Sequence, residues 1–424
     1  MMKKIYLAIL CTAAGLSMQS CLHDDKEYFS ESAATRIENT VENTKTTLES
    51  ATNGWELHYY TGESYSGGGY TFLLKFQNGK VTVAGDPQLA TSSERASSSY
   101  GVDRSMGPVL TFNTYNEIFH QLGTPTYSNI QGEQGDWEFV VTELTQDSIF
   151  VKGKKWGNKM VFTRLPETVD WTSHLDSIAA VEKKLSVNYT AGNSSEANNQ
   201  IEVSSSTRRI LSRSASNELA EQPFYVTTTG IHPLSDINVN GTRVTALDVD
   251  TDGNLVAENA QQIKLTPYIV DINTWIGNWT MTSYTGGCDI TISKVDGEEN
   301  TLKGEFKLNG NTYALGFVFD PATGKLNLPS QLIEDPSGTY PALWLMNADL
   351  NQGILLGQGG MNLVWHGVSQ EAEFEDDETL ASEGYASDSF CALACTTDGS
   401  LIKENSSYVF VFSWYYLSNM TPNK

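Results

Sequence analysis

The chain has 424 residues, with 51 acidic against 27 basic side chains and a formal net charge of −24 at pH 7. That length predicts two or three domains with sizeable cores. That charge repels phosphate backbones and argues against nucleic acid as a partner, while leaving divalent cations and cationic peptides open.

At the start of the chain, Lys3 and Lys4 form a positive region, Ile5 to Leu16 an apolar one, and Met18-Gln19-Ser20 a short run before Cys21. This order resembles a bacterial lipoprotein signal, which implies that residues 1–20 are removed and Cys21 is lipidated. The alternative is an ordinary cleaved secretory signal with Cys21 left as a free thiol. The apolar run is shorter than the ~20 residues of a membrane span, and no later segment reaches that length. Each buried acyl methylene contributes about 0.8 kcal/mol, so several chains on Cys21 would anchor the protein to a membrane firmly. Losing Lys3 and Lys4 takes the net charge from −24 to −26. The run Leu22-His23-Asp24-Asp25-Lys26-Glu27 resembles the acidic export tag of Bacteroidetes surface lipoproteins, which implies an outer-membrane location facing the exterior. Residues 21–29 otherwise read as a solvated acidic tether.

Residues 30–168 read as an α+β domain. Ser30 caps a predicted amphipathic helix over 30–52, with Ala34, Ile37, Val41, Leu48 and Ala51 near helical spacing and Asn53-Gly54 as its stop. Strands follow at Trp55–Tyr60, Tyr70–Phe76 and Lys80–Val83, with turns at Gly67-Gly68-Gly69 and at the hairpin signal Asn78-Gly79. Val109–Phe112, Trp137–Leu144, Ser148–Lys152 and Lys159–Arg164 are further strands, and a turn or two of helix covers Tyr115–Leu122. Residues 169–272 begin with a second helix, Trp171–Leu185 capped by Asp170, then a polar loop over 191–200 and about four strands. From 273 to 424 short strands alternate with regular turns, as in a barrel or sandwich. The opening Gly277-Asn278-Trp279 resembles lipocalin-like barrels, in which the indole closes one end. The fold expected is α+β: an antiparallel-sheet N-terminal region with two amphipathic helices, then an all-β lipocalin-like barrel or sandwich.

Phe29-Ser30, Arg36-Ile37, Asn53-Gly54-Trp55, Tyr59-Tyr60, Gly68-Gly69-Tyr70, Lys75-Phe76, Ser99-Tyr100, Gly107–Phe112, Tyr115-Asn116, His120 and Gly135–Phe139 together resemble a Bacteroidetes surface lipoprotein family of unknown function. Its members are similar to accessory lipoproteins of starch-utilisation-type import systems. The resemblance implies capture of a glycan or peptide nutrient beside a TonB-dependent transporter, and it carries over no catalytic residue.

Chemistry-bearing patterns are sparse. No His-Glu-x-x-His run, Gly-x-Ser-x-Gly elbow or phosphate loop occurs. His120 beside Asp136 and Glu138 would suit a surface hydrolase, with the two carboxylates on one strand face as acid and base. The plainer reading makes His120 a packing residue and the carboxylates a solvated face opposite Trp137 and Phe139. Asp248, Asp250 and Asp252 before Gly253 match the first half of a calcium loop, but the twelfth position is Asn259 and the flanks are strand-like, which favours a hairpin turn. Glu371–Glu378 reads as a solvated acidic loop. Cys288, Cys391 and Cys395 allow at most one disulfide within the mature chain. Aromatic side chains make up 10% of residues, and Tyr59-Tyr60 and Trp414-Tyr415-Tyr416 put rings on both strand faces, where exposed ones suit sugar stacking or peptide clamping and most read more simply as core and edge packing. A structural subunit without a small ligand is the third functional reading.

Overall fold

A computed structural model describes residues 33–105, 107–126, 129–192, 200–213, 216 and 218–423. The signal stretch, Cys21 and the acidic run Asp24-Asp25-Lys26-Glu27 lie outside them. The chain is α+β, with two α-helices and three closed, eight-stranded antiparallel barrels among the described residues. No described helix is long and apolar enough to cross a membrane.

Helix α1, Ala33–Ser50, presents Val41, Thr44 and Leu48 to the first barrel and leaves its other faces largely in water. Trp55 follows at the start of the first strand, fully buried, and its indole N–H donates back to the Leu48 carbonyl at 2.9 Å. Helix and barrel are therefore stitched by one buried ring. The barrel runs in sequence order from Trp55–Tyr60 to Lys159–Arg164 and closes where Trp55 pairs with Arg164. Its Asn78-Gly79 hairpin has positive φ at both residues, 52° and 73°, the twist that a two-residue loop needs.

Helix α2, Trp171–Glu182, links the first two barrels. Asp170 accepts the Ser173 amide at 2.8 Å as its N-cap, and Leu175, Ile178 and Val181 face the second core. The second barrel was expected as a helix with about four strands. It closes instead through Asn188–Thr190, which pairs with both Gln200–Ser204 and Lys264–Pro267. Five of its strands, Asn188–Thr190, Gly230–Pro233, Leu247–Val249, Leu255–Ala257 and Lys264–Pro267, hold only three or four residues, too few to register as alternation in the sequence.

The third barrel alternates clearly. Leu302, Gly304 and Phe306 point inward on Thr301–Leu308, and Tyr313, Leu315, Phe317 and Phe319 do so on Asn311–Phe319. Trp275, Trp279 and Trp365 pack together at its start, with ring centroids 5.8–6.4 Å apart. Inserted between its strands is a second sheet, in the order Gln331–Ile333, Ala342–Asp349, Ser389–Cys395, Phe410–Trp414. Barrel and sheet share one core. Cys391 and Cys395 both lie on the buried strand Ser389–Cys395 as free thiols.

The run Gly67-Gly68-Gly69, expected as a turn, does more than turn. A Cβ on Gly68 would lie 2.7 Å from the Thr207 carbonyl oxygen, and one on Gly69 would lie 2.5 Å from that of Phe224. Only bare backbone lets the first and second barrels approach so closely. Gly69→Ala is expected to destabilise this joint by about 1–3 kcal/mol, read as a lowered urea midpoint. An unchanged midpoint would mean the barrels separate at no cost.

Candidate functional site

The residues that the sequence nominates are each held by their own neighbours. The Nδ1 of His120 lies 3.0 Å from the Asn116 amide, and burial lowers its pKa. Asp136 was expected on the same strand face as Glu138, with Trp137 turned to the opposite face. The order is reversed: Asp136 is 4% exposed and Trp137 38%. The strand begins only at Glu138, and the preceding loop turns Asp136 inward to accept the amides of Lys155 and Trp156 at 2.8 and 3.1 Å. Burial raises its pKa against those two hydrogen bonds. Glu138 meets Lys154 Nζ at 2.8 Å on the half-exposed side. These are loop-holding and surface roles, and none of the three lines the cleft described below.

Asp250 holds the turn between Leu247–Val249 and Leu255–Ala257. Its Oδ1 accepts the amides of Asp252 and Asn254, each at 2.9 Å, and its Oδ2 lies 3.0 Å from Lys264 Nζ. The Asn254 side chain, the ammonium and these amides hold its carboxyl well below the usual range. A cation already sits against this carboxylate, and Asp248 and Asp252 are exposed beside the turn. Among the described residues no group of three or more His, Cys, Asp or Glu is placed to hold a metal ion.

A cleft of about 900 Å³ lies elsewhere. It opens where barrel strands Gly286–Lys294 and Thr301–Leu308 approach Phe410–Trp414, an edge strand of the inserted sheet. Phe412 and Trp414 both line the cleft, and a bulge in the pairing with Ser389–Cys395 separates them from Phe410, which is exposed. Phe412 and Trp414 meet Phe306 at centroid distances of 5.5 and 5.1 Å, and Phe306 stacks on Tyr313 at 5.3 Å. Thr285 Oγ1 donates to the Ser413 carbonyl at 3.3 Å and the Tyr284 amide to that of Tyr415 at 2.8 Å, which fixes the edge strand against the barrel rim.

Around the rings stands a polar rim. Thr291 Oγ1 donates to Asn278 Oδ1 at 2.8 Å, Asp289 Oδ1 lies 2.5 Å from Thr280 Oγ1, and Glu305 pairs with Lys303 at 2.6 Å. Burial pushes the Cys288 thiol up to about 11, which keeps it protonated and unreactive at neutral pH. Apolar ring faces beside amide, hydroxyl and carboxylate groups suit an amphipathic ligand. The sequence points to this cleft only through the adjacent aromatics Trp414-Tyr415-Tyr416. Asn278, Asp289 and Glu305 carry no local signal.

Three closed antiparallel barrels, with an aromatic-lined cleft in the last, define a β-barrel protein. Residues 25–251 match the family described as a domain of unknown function, DUF4302, and the chain belongs to that family. Among curated proteins none matches. Of solved structures, the chain is similar to a tryptophan-to-alanine mutant of the vaccine antigen transferrin binding protein B from Haemophilus parasuis Hp5, at 8% identity and a TM-score of 0.14, over 87% of this chain and 75% of that one.

Proposed function

We propose that this chain is a lipid-anchored cell-surface accessory protein that binds a glycan or peptide nutrient for an outer-membrane importer, with the third-barrel cleft as its ligand site. The cleft carries the reading. Its volume of about 900 Å³ suits a small oligomeric ligand, and it pairs Phe412 and Trp414 with hydrogen-bonding groups on Asn278, Asp289 and Glu305. The Cys21 signal and the Asp24-Asp25 run support placement on the outer face of the outer membrane, where a TonB-dependent transporter would be the partner. The hydrolase reading lacks such footing, because His120, Asp136 and Glu138 are each engaged by separate neighbours.

The test is a glycan and peptide array probed with the full chain in detergent. Trp414→Ala is expected to weaken the selected ligand by about 2 kcal/mol, roughly 30-fold, as loss of a central buried ring does. Phe412→Ala, at a half-buried position, should act in the same direction. Absence of binding to every glycan and peptide class would end the proposal.

A further inference from the structure

We infer that the first barrel carries a second ligand surface, a strip formed by Tyr115, His120 and Trp137 that stacks the sugar rings of an uncharged polysaccharide. The inference rests on the nutrient-binding reading and narrows it from glycan or peptide to glycan polymer.

The rings form a row. Tyr115 and His120 have centroids 5.2 Å apart with planes tilted by 31°, and His120 and Trp137 follow at 5.8 Å and 32°. At these spacings and tilts each ring partly covers the next, so Tyr115 and Trp137 are the exposed ends of a row with the half-buried imidazole between them. Tyr115 is 61% exposed and Trp137 38%. Singly exposed aromatic residues are ordinary on a protein surface, whereas an adjoining set marks a contact site.

The strip is held in place from behind. His120 meets the edges of Phe112 and Phe119 at centroid distances of 6.4 and 6.1 Å, within the first core. Asn116, almost wholly buried, accepts the amides of Ile118 and Phe119 at 3.2 and 3.0 Å and so fixes the turn that presents the imidazole. Trp137 lies on the bare backbone of Gly123, where a Cβ would come within 2.8 Å of its ring. The Trp137 carbonyl accepts the Phe112 amide at 3.1 Å. Rings locked before contact lose little freedom on binding, which favours recognition.

Three features select the ligand. Burial disfavours the charged form of His120, so the middle ring is a neutral aromatic at neutral pH. The strip stands on turns between Val109–Phe112 and Glu138–Leu144 and has no strand edge of its own with which a peptide backbone would pair. The net charge of −24 repels polyanions, Glu117 beside Tyr115 adds to that field, and Glu138 beside Trp137 is already paired with Lys154. The flat C–H faces of neutral sugar rings meet these conditions. A strip on the first barrel and a cleft on the third favour a polymer, because contacts at both sites raise the effective concentration for each other.

The full chain in detergent is run in native gels containing amylopectin, xyloglucan or galactomannan, and titrated with the same polymers. At least one polymer should retard it. Tyr115→Ala, at an exposed position that leaves the melting temperature unchanged, should weaken that binding about threefold, and the Tyr115→Ala/Trp137→Ala pair at least tenfold. If the retarding polymer binds both variants as it binds the parent chain, the strip is not a ligand surface, while loss on Trp414→Ala would still uphold the cleft. Binding of peptides alone would overturn the strip and leave the nutrient-binding reading standing. Binding of neither class would end both.

Discussion

Arg208→Ala is expected to lower the stability of the joint between the first two barrels by about 3–5 kcal/mol, the cost of leaving a buried charge without its partner. Arg208 has no exposed surface and sits with φ at 55° in the turn between Gln200–Ser204 and Arg209–Arg213. Its Nη2 lies 2.6 Å from Asp86 Oδ1 on the first barrel and 3.1 Å from Glu182 Oε2 at the end of α2. Three segments distant in sequence thus meet on one guanidinium. Asp86 is also fully buried and accepts the Thr71 amide at 3.2 Å. Without Arg208, two carboxylates would face each other in the joint. Burial already raises the Glu182 pKa despite the guanidinium, so the first response should be proton uptake there.

The same site shows why the pair specifies more than it stabilises. Nε and Nη1 of Arg208 are buried without a hydrogen-bond partner, and unmet donors of this kind cost roughly 1–3 kcal/mol each. Asp86→Asn combined with Arg208→Met should therefore recover much of the loss seen in Arg208→Ala. Urea unfolding followed by tryptophan fluorescence, with limited proteolysis in the segment 165–190, reads both. A stability for Arg208→Ala within 1 kcal/mol of the parent chain would show that the charges are solvated after all.

How much of this was legible depends on whether an element announces itself locally. Helix α2 does, through the Asp170 cap and the Leu175, Ile178 and Val181 stripe, and so does the Asn78-Gly79 hairpin. Strand alternation in the third barrel is equally plain. Closure is not, because Trp55 and Arg164 become neighbours only once the tilt and stagger of the intervening strands are set. The joints are also silent: nothing local marks Thr207-Arg208-Arg209, yet it encloses the most buried cation described. Asp136 and Glu138 failed for a subtler reason. Alternation predicts which residues share a face, but here the strand starts at Glu138, and the amides of Lys155 and Trp156 decide where Asp136 points. The cleft residues come from distant strands, and only the run Trp414-Tyr415-Tyr416 hinted at it.

Glu202→Gln should loosen the joint between the second and third barrels, also by about 3–5 kcal/mol near pH 6, and the loss should shrink as the pH rises. Glu202 Oε1 lies 2.8 Å from His366 Nδ1, and its Oε2 accepts the amides of Val368 and Ser369 at 3.2 and 3.1 Å. Both side chains are nearly inaccessible. Glu373 Oε2 stands 3.4 Å from His366 Nε2, near enough to attract its charge but without a hydrogen bond. Burial opposes the charge on His366, yet the hydrogen bond and attraction of Glu202, with Glu373 beside it, raise its pKa from 6.5 to about 10. The same contacts, outweighing burial, hold Glu202 below its ordinary 4.5. A raised histidine contributes fully below 6.5 and fades as the pH climbs towards 10, whereas a lowered glutamate contributes above 4.5 and fades as acid is added. The joint is therefore firmest between about pH 4.5 and 6.5. Glutamine removes the negative partner, so burial should drive His366 neutral and flatten the profile. Urea midpoints of both proteins from pH 5 to 10 would show the parent curve falling towards the flat variant curve. Two parallel curves would mean that the pair carries no charge and that neutral hydrogen bonds hold the barrels together.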